Sequence, residues 1–255
     1  MRKYLMVTMA LGALIAVSVA GVSSAEKVTV GNLEFEADGN FSPKALPKKT
    51  FAPISLSVEG TIKTKDGTHP PALKEVLLET DKNGAINVKG YPKCTSGKLQ
   101  SQDTDAAKKI CKSAIIGEGT TGVEIAFPDS KPVDVSSKLL VFNGGFAGGT
   151  TTLYIHAYIT VPVPAAIVTT VKIKKINKGR YGLLSVASIP KIAGGSGSVT
   201  SFSLKVDKKF TYKGKKVSIL TAKCPDGKLQ AHAVAVFSDG TKAATDYLRP
   251  CTGKG

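Results

Sequence analysis

The chain has 255 residues, with 35 Lys and Arg against 19 Asp and Glu, a formal charge of +16, no Trp and only 6% aromatic residues. Such a balance draws a protein toward anionic surfaces, while the shortage of stacking side chains argues against specific nucleic-acid recognition. Four cysteines without CxxC-like pairs argue against a four-cysteine zinc site.

Arg2 and Lys3 precede an apolar stretch from Leu5 to about Val19, and Ser23-Ser24-Ala25 places small residues ahead of a cut. This is the pattern of a secretory signal peptide over residues 1–25, cleaved after Ala25. Its roughly 15 apolar residues fall short of the ~20 that span a bilayer, and no second apolar run follows, so no membrane span is expected after cleavage. The exported chain, 26–255, would keep 33 basic and 19 acidic residues, a charge of +14. Outside the cytoplasm thiols oxidise. Sequence proximity favours Cys94 with Cys111 and Cys224 with Cys251, separated by 17 and 27 positions.

Residues 26–50 are sparse in apolar side chains and carry Pro43 and Pro47, which, apart from a short strand at Val28 to Val30, reads as an extended lead-in to a β domain over 51–255. Ile54, Leu56, Val58 and Ile62 then alternate with polar residues, the period of a strand buried on one face. Lys65-Asp66-Gly67 turns the chain. Ala72 to Thr80 continues as a strand, with Lys82-Asn83-Gly84 as a hairpin turn into Ile86 to Lys89. Between Cys94 and Cys111, Asp103 or Asp105 can cap a two-turn helix over Ala106 to Ile110. Ala114 to Ile116 and Val123 to Phe127 read as strands separated by Gly117, Gly119 and Gly122, with 128–137 as a loop.

The longest strand-forming stretch runs from Lys138 to Lys175. Leu139 to Phe142 and Leu153 to Val161 form a hairpin about Gly148-Gly149, and Ile167 to Ile173 adds a strand beyond Pro162 and Pro164. Leu183 to Ile189 and Val199 to Val206 follow, on either side of a glycine-rich linker or loop at 194–197. Phe210 to Tyr212 with Val217 to Ala222, and Leu229 to Phe237 with Thr241 to Leu248, are two more hairpins. About a dozen short strands and one short helix predict an all-β fold, an antiparallel β-sandwich or barrel. Residues 93–100 and 223–230 match at six of eight positions. That echo predicts two related β units, 51–135 and 190–255, with similar hairpins at 73–100 and 203–230.

No nucleophile elbow, HExxH helix, phosphate loop or dinucleotide fingerprint is present, and no cofactor or metal is expected. A metal site would need His69, His156 and His232 to meet in space. Tyr154, His156 and Tyr158 share one strand face and are the candidate ligand-binding residues; the plainer reading is a half-buried aromatic sheet face. The carboxylates, Glu118 and Glu124 among them, form no acid and base pair by spacing. Lysines are scattered over turns and strand faces, clustering at Lys172-Lys174-Lys175, Lys208-Lys209 and Lys213-Lys215-Lys216. These features predict a non-enzymatic protein, secreted or held at the cell envelope, that binds anionic cell-wall polymer or another envelope protein. An envelope hydrolase whose site only the fold assembles, and a carrier of an apolar ligand, are the alternatives.

Three stretches carry a resemblance: Asp66-Gly67-Thr68-His69-Pro70-Pro71-Ala72-Leu73; Phe142-Asn143-Gly144 running on to His156-Ala157-Tyr158 and Pro162-Val163-Pro164; and Phe210-Thr211-Tyr212-Lys213-Gly214 running to Cys224-Pro225. Together they resemble a group of uncharacterised secreted bacterial proteins of high-GC Gram-positive type. The resemblance implies export and a β-rich fold and transfers no catalytic residue.

Overall fold

A computed structural model describes residues 25–255; the predicted leader, up to residue 24, lies outside the described residues. Twelve strands build the main sheet: β1 (Glu26–Val30), β2 (Leu33–Ser42), β3 (Ser55–Thr64), β4 (Leu73–Asp81), β5 (Ile115–Phe127), β6 (Ser130–Ala147), β7 (Thr150–Ile159), β8 (Ala165–Lys178), β9 (Tyr181–Ser188), β10 (Gly197–Val206), β11 (Lys228–Phe237) and β12 (Lys242–Pro250). Their order is β1-β2-β3-β10-β5-β6-β7-β8-β9-β4-β11-β12, with every neighbour antiparallel. The outermost strands, β1 and β12, come within contact of each other without a shared ladder, so the sheet curls into a nearly closed barrel. The all-β expectation holds.

Period-2 alternation sets the inside and outside of this barrel. On β7, Leu153 and Ile155 point inward with Val141 of β6 and Val171 and Ile173 of β8. Tyr154, on the opposite face, packs outside with Leu140 and Phe142. A second inner cluster joins Leu33, Phe35 and Ile62 to Phe237, Ala243 and Tyr247. It brings the first strands of the chain against the last. Arg249 closes the seam between them: it donates to both carboxylate oxygens of Glu26 at 2.7 and 2.8 Å, to Asp38 at 2.5 Å and to the Gly39 carbonyl at 2.6 Å. These carboxylates raise the guanidinium pKa well above its ordinary value.

Because the strands alternate in direction, the connections fall into two sets. Segments 43–54, 82–114, 148–149, 179–180, 207–227 and 251–255 lie at what we call the disulfide end. Segments 31–32, 65–72, 128–129, 160–164, 189–196 and 238–241 lie at the other, the strap end, where 65–72 crosses from β3 to the distant β4. Both cysteine pairs form as proximity suggested, Cys94 with Cys111 and Cys224 with Cys251, and both are at the disulfide end. The helix, α1 (Thr104–Ile110), is there too; its N-cap Asp103 accepts the Ala106 N–H at 2.8 Å.

Several local expectations are corrected. The strand expected at Val28 to Val30 falls in β1, but the rest of the presumed lead-in contains β2, integral to the barrel: Leu33, Phe35, Ala37 and Phe41 are buried on one face, and Phe35 pairs with Ile62. The hairpin expected at 72–89 does not form. β4 is laddered along both edges by β9 and β11, leaving no edge for Gly84–Ile86, which pairs with Leu220–Ala222 instead. Glycines 117, 119 and 122 interrupt no strand. At Gly119 a Cβ would sit 1.9 Å from the Ser203 carbonyl, so glycine here permits close strand approach inside β5. Most of the expected loop 128–137 belongs to β6. The sequence echo also takes two backbone paths: Ser96–Lys98 is a 3₁₀ turn, whereas Lys228 opens β11. Duplication is therefore set aside.

Candidate functional site

The face carrying Tyr154, His156 and Tyr158 is covered. The segment between Cys94 and Cys111 lies over the outside of β6 and β7 and buries His156 completely, with Leu99, Ala107, Leu140 and Phe142 in the cluster around it. Its Nε2–H donates to the Gln102 carbonyl at 2.9 Å, since a carbonyl can only accept. Nδ1 has no hydrogen-bond partner. Burial lowers the His156 pKa below the ordinary histidine value, which favours a neutral ring. Tyr154 and Tyr158 remain half-buried beside the covered histidine.

The three histidines do not meet. His232 sits half-buried on β11, where its Nδ1 lies 2.9 Å from Asp246 of β12. Among the described residues no group of three or more His, Cys, Asp or Glu side chains is placed to hold a metal ion. Two shallow grooves of about 340 Å³ each cross the outer face near Glu36, Glu59, Thr120, Asp134 and Ser201, and neither is lined by a histidine.

His69 makes the most catalytic-looking contacts. It stands on the strap 65–72 with Nε2 3.0 Å from Ser198 Oγ on β10 and Nδ1 2.6 Å from Glu124 Oε1 on β5. That connectivity matches a serine–histidine–acid triad. Hydrogen bookkeeping separates the two cases. Ser198 Oγ is also 2.6 Å from the Pro70 carbonyl, which can only accept, so the serine O–H is spent there. Oγ must then accept from Nε2–H while Nδ1–H donates to Glu124. A triad base must do the opposite and receive the serine proton. Ser198 is also only 1% exposed. The group works as a clasp that fastens the strap to β5 and β10. It was invisible in the sequence because Ser198 and His69 stand 129 positions apart with no motif around either.

Charge gives the third feature, and here the fold gathers what the sequence scatters. The six segments at the disulfide end carry 18 Lys and Arg against four Asp, a net +14. Those at the strap end carry Lys65 and Lys191 against Asp66, Asp129 and Asp239, a net −1, and the strands between carry 13 basic and 12 acidic residues. Two of the four aspartates at the lysine-rich end are already engaged: Asp207 pairs with Lys205, and Asp226 pairs with Arg180, which also holds Asp81 at 2.7 Å. The positive field therefore comes almost wholly from lysine. No family model, curated protein or solved structure matches this chain.

Proposed function

We propose that this is a non-enzymatic exported protein whose lysine-rich end holds it on anionic polymer of the cell envelope. The observation that carries the reading is the segregation of charge, +14 at one end of the barrel against −1 at the other. Charges grouped on one surface within a Debye length of about 8 Å act together on a polyanion, whereas the same number spread evenly would act singly. Two disulfides suit an oxidising compartment. No helix among the described residues is long and apolar enough to cross a membrane. The test is retention of the mature chain on purified anionic wall polymer across a salt series. Binding at low ionic strength that fades as salt rises is expected; no binding at low salt, or binding indifferent to salt, overturns the reading.

Envelope hydrolysis stands as a second reading because of the Ser198, His69 and Glu124 connectivity. The donated serine proton and the burial of Ser198 weigh against it. A fluorophosphonate probe should leave the wild-type chain unlabelled; labelling that disappears in Ser198→Ala would establish the hydrolase instead.

A further inference from the structure

The lysine-rich end includes a hairpin free of acidic side chains, that of Lys209–Tyr212 and Lys215–Ser218. Its register places Phe210 opposite Val217 and Thr211 opposite Lys216. The aromatic residues turn inward. Phe210 meets Tyr91 edge-on at 4.9 Å between ring centroids, and the Tyr212 ring lies where a Cβ on Gly90 would be, 2.0 Å from its Cδ2. The hairpin is thus seated on residues 87–92 by the face that carries Phe210, Tyr212 and Lys215, and Lys209 and Lys216 project from the opposite face. Lys209, Lys213, Lys215 and Lys216 are all exposed, and none is in an ion pair among the described residues.

Resting on the proposed retention at this end, we infer that the hairpin is the contact element and that its ligand is a base-free chain of closely spaced phosphates, of polyol-phosphate type. Three observations select that chemistry. Lys216 stands beside Thr211, two residues along from Lys209, so the two side chains leave one face of the hairpin from points roughly 7 Å apart along the strand. A polyol phosphate with six backbone bonds between charges repeats at roughly 7 Å, given the 3.8 Å that three backbone bonds span. A glycan with one carboxylate per disaccharide spaces its charges more widely than the ~8 Å screening length and engages the lysines one at a time. Second, Arg180 is consumed by Asp81 and Asp226, so no free guanidinium fork at this end offers planar two-point recognition of a carboxylate. Ammonium groups, by contrast, serve phosphate as point charges. Third, single-stranded nucleic acid needs aromatic platforms for its bases, and both half-buried rings of the hairpin are already engaged, Phe210 against Tyr91 and Tyr212 against Gly90 with Lys213 over its ring.

The experiment measures binding of the mature chain to polyglycerol phosphate of defined length as salt is varied. It compares wild type, a hairpin variant (Lys209→Ser, Lys213→Ser, Lys215→Ser, Lys216→Ser) and a variant at the same end with equal charge loss (Lys98→Ser, Lys108→Ser, Lys109→Ser, Lys112→Ser), each checked for a native circular dichroism spectrum. The hairpin variant should lose at least tenfold in affinity at ~0.1 M salt, and its log–log salt slope should shrink by about 3, at roughly 0.7 per phosphate released from a single chain. The second variant should lose less than threefold. Equal losses in the two variants would remove the hairpin as contact element while leaving retention at this end intact. Tighter binding of oligo-dT with the same number of charges would overturn the ligand chemistry. A wild-type chain that binds neither polymer nor anionic wall would defeat the underlying reading itself.

Discussion

The two ends of this barrel solve the same covering problem with different chemistry. At the disulfide end, long insertions are held by two cystines, a three-stranded patch at 52–53, 84–86 and 220–222, and a parallel pair at 45–47 and 252–254. At the strap end, two short crossings, 65–72 and 189–196, are held by side chains: His69 clasps Glu124 and Ser198, and Ile192 packs with Val123, Ile125 and Ile159. Covalent links let the first end tolerate a self-repelling excess of lysine, because cross-links limit the unfolded chain whatever the surface charge. The strap end is nearly neutral and needs no such restraint. The difference teaches that cross-links and charge are placed together, an arrangement that suits the proposed retention on a polyanion.

Removing the cystine between Cys224 and Cys251 should give the largest effect. Closing 27 residues is worth about 3.6 kcal/mol in the chain-entropy model, and thermal denaturation of Cys224→Ser/Cys251→Ser should show it. The loss should grow at low salt, where lysine repulsion is unscreened; a loss independent of salt would break the link between cross-link and charge. Next comes the seam. Arg249→Met should cost about 3 kcal/mol in chemical denaturation, because Glu26 and Asp38 lose a buried partner.

At the strap end, His69→Gln should cost about 1.5 kcal/mol, the worth of one charge-assisted hydrogen bond. Hydrogen exchange should localise the change to 65–72. A change of the same size at the disulfide end would mean that the two ends are not independent.

The smallest effect is confined to acid. The folded pKa of His156 lies below the unfolded value near 6.5, chiefly through burial, so the unfolded chain binds the proton more readily. This contribution to stability is complete above ~6.5 and is lost as pH falls below it toward the folded pKa. His156→Gln keeps an N–H for the Gln102 carbonyl and cannot titrate. Stability curves of variant and wild type should diverge only below ~6.5; parallel curves there would mean that the histidine is not held neutral.

How much of this was legible beforehand can be argued residue by residue. The central hairpin at 139–161, the helix with its Asp103 cap and both cystine pairs are local, and local signals suffice for them: apolar alternation, turn glycines, a capping carboxylate and short loop closures. The face of Tyr154, His156 and Tyr158 was legible as a face, but not as a buried one, because its cover arrives from residues some fifty positions earlier. β2 escaped notice because Asp38, Gly39 and Asn40 dilute its apolar pattern, and only the ladder to β3 supplies the missing order.

Sequence alone thus settled the β character, the cystine partners and the total charge, since composition and near-neighbour spacing are properties of the chain itself. Tertiary structure decided which strands became neighbours, that β4 lies between β9 and β11, that His69 reaches Glu124 and Ser198, and that lysines from four separate segments share one end. The physical reason is directional. In an antiparallel barrel each connection's end is set by the parity of the strands before it, and no local run of residues encodes that parity.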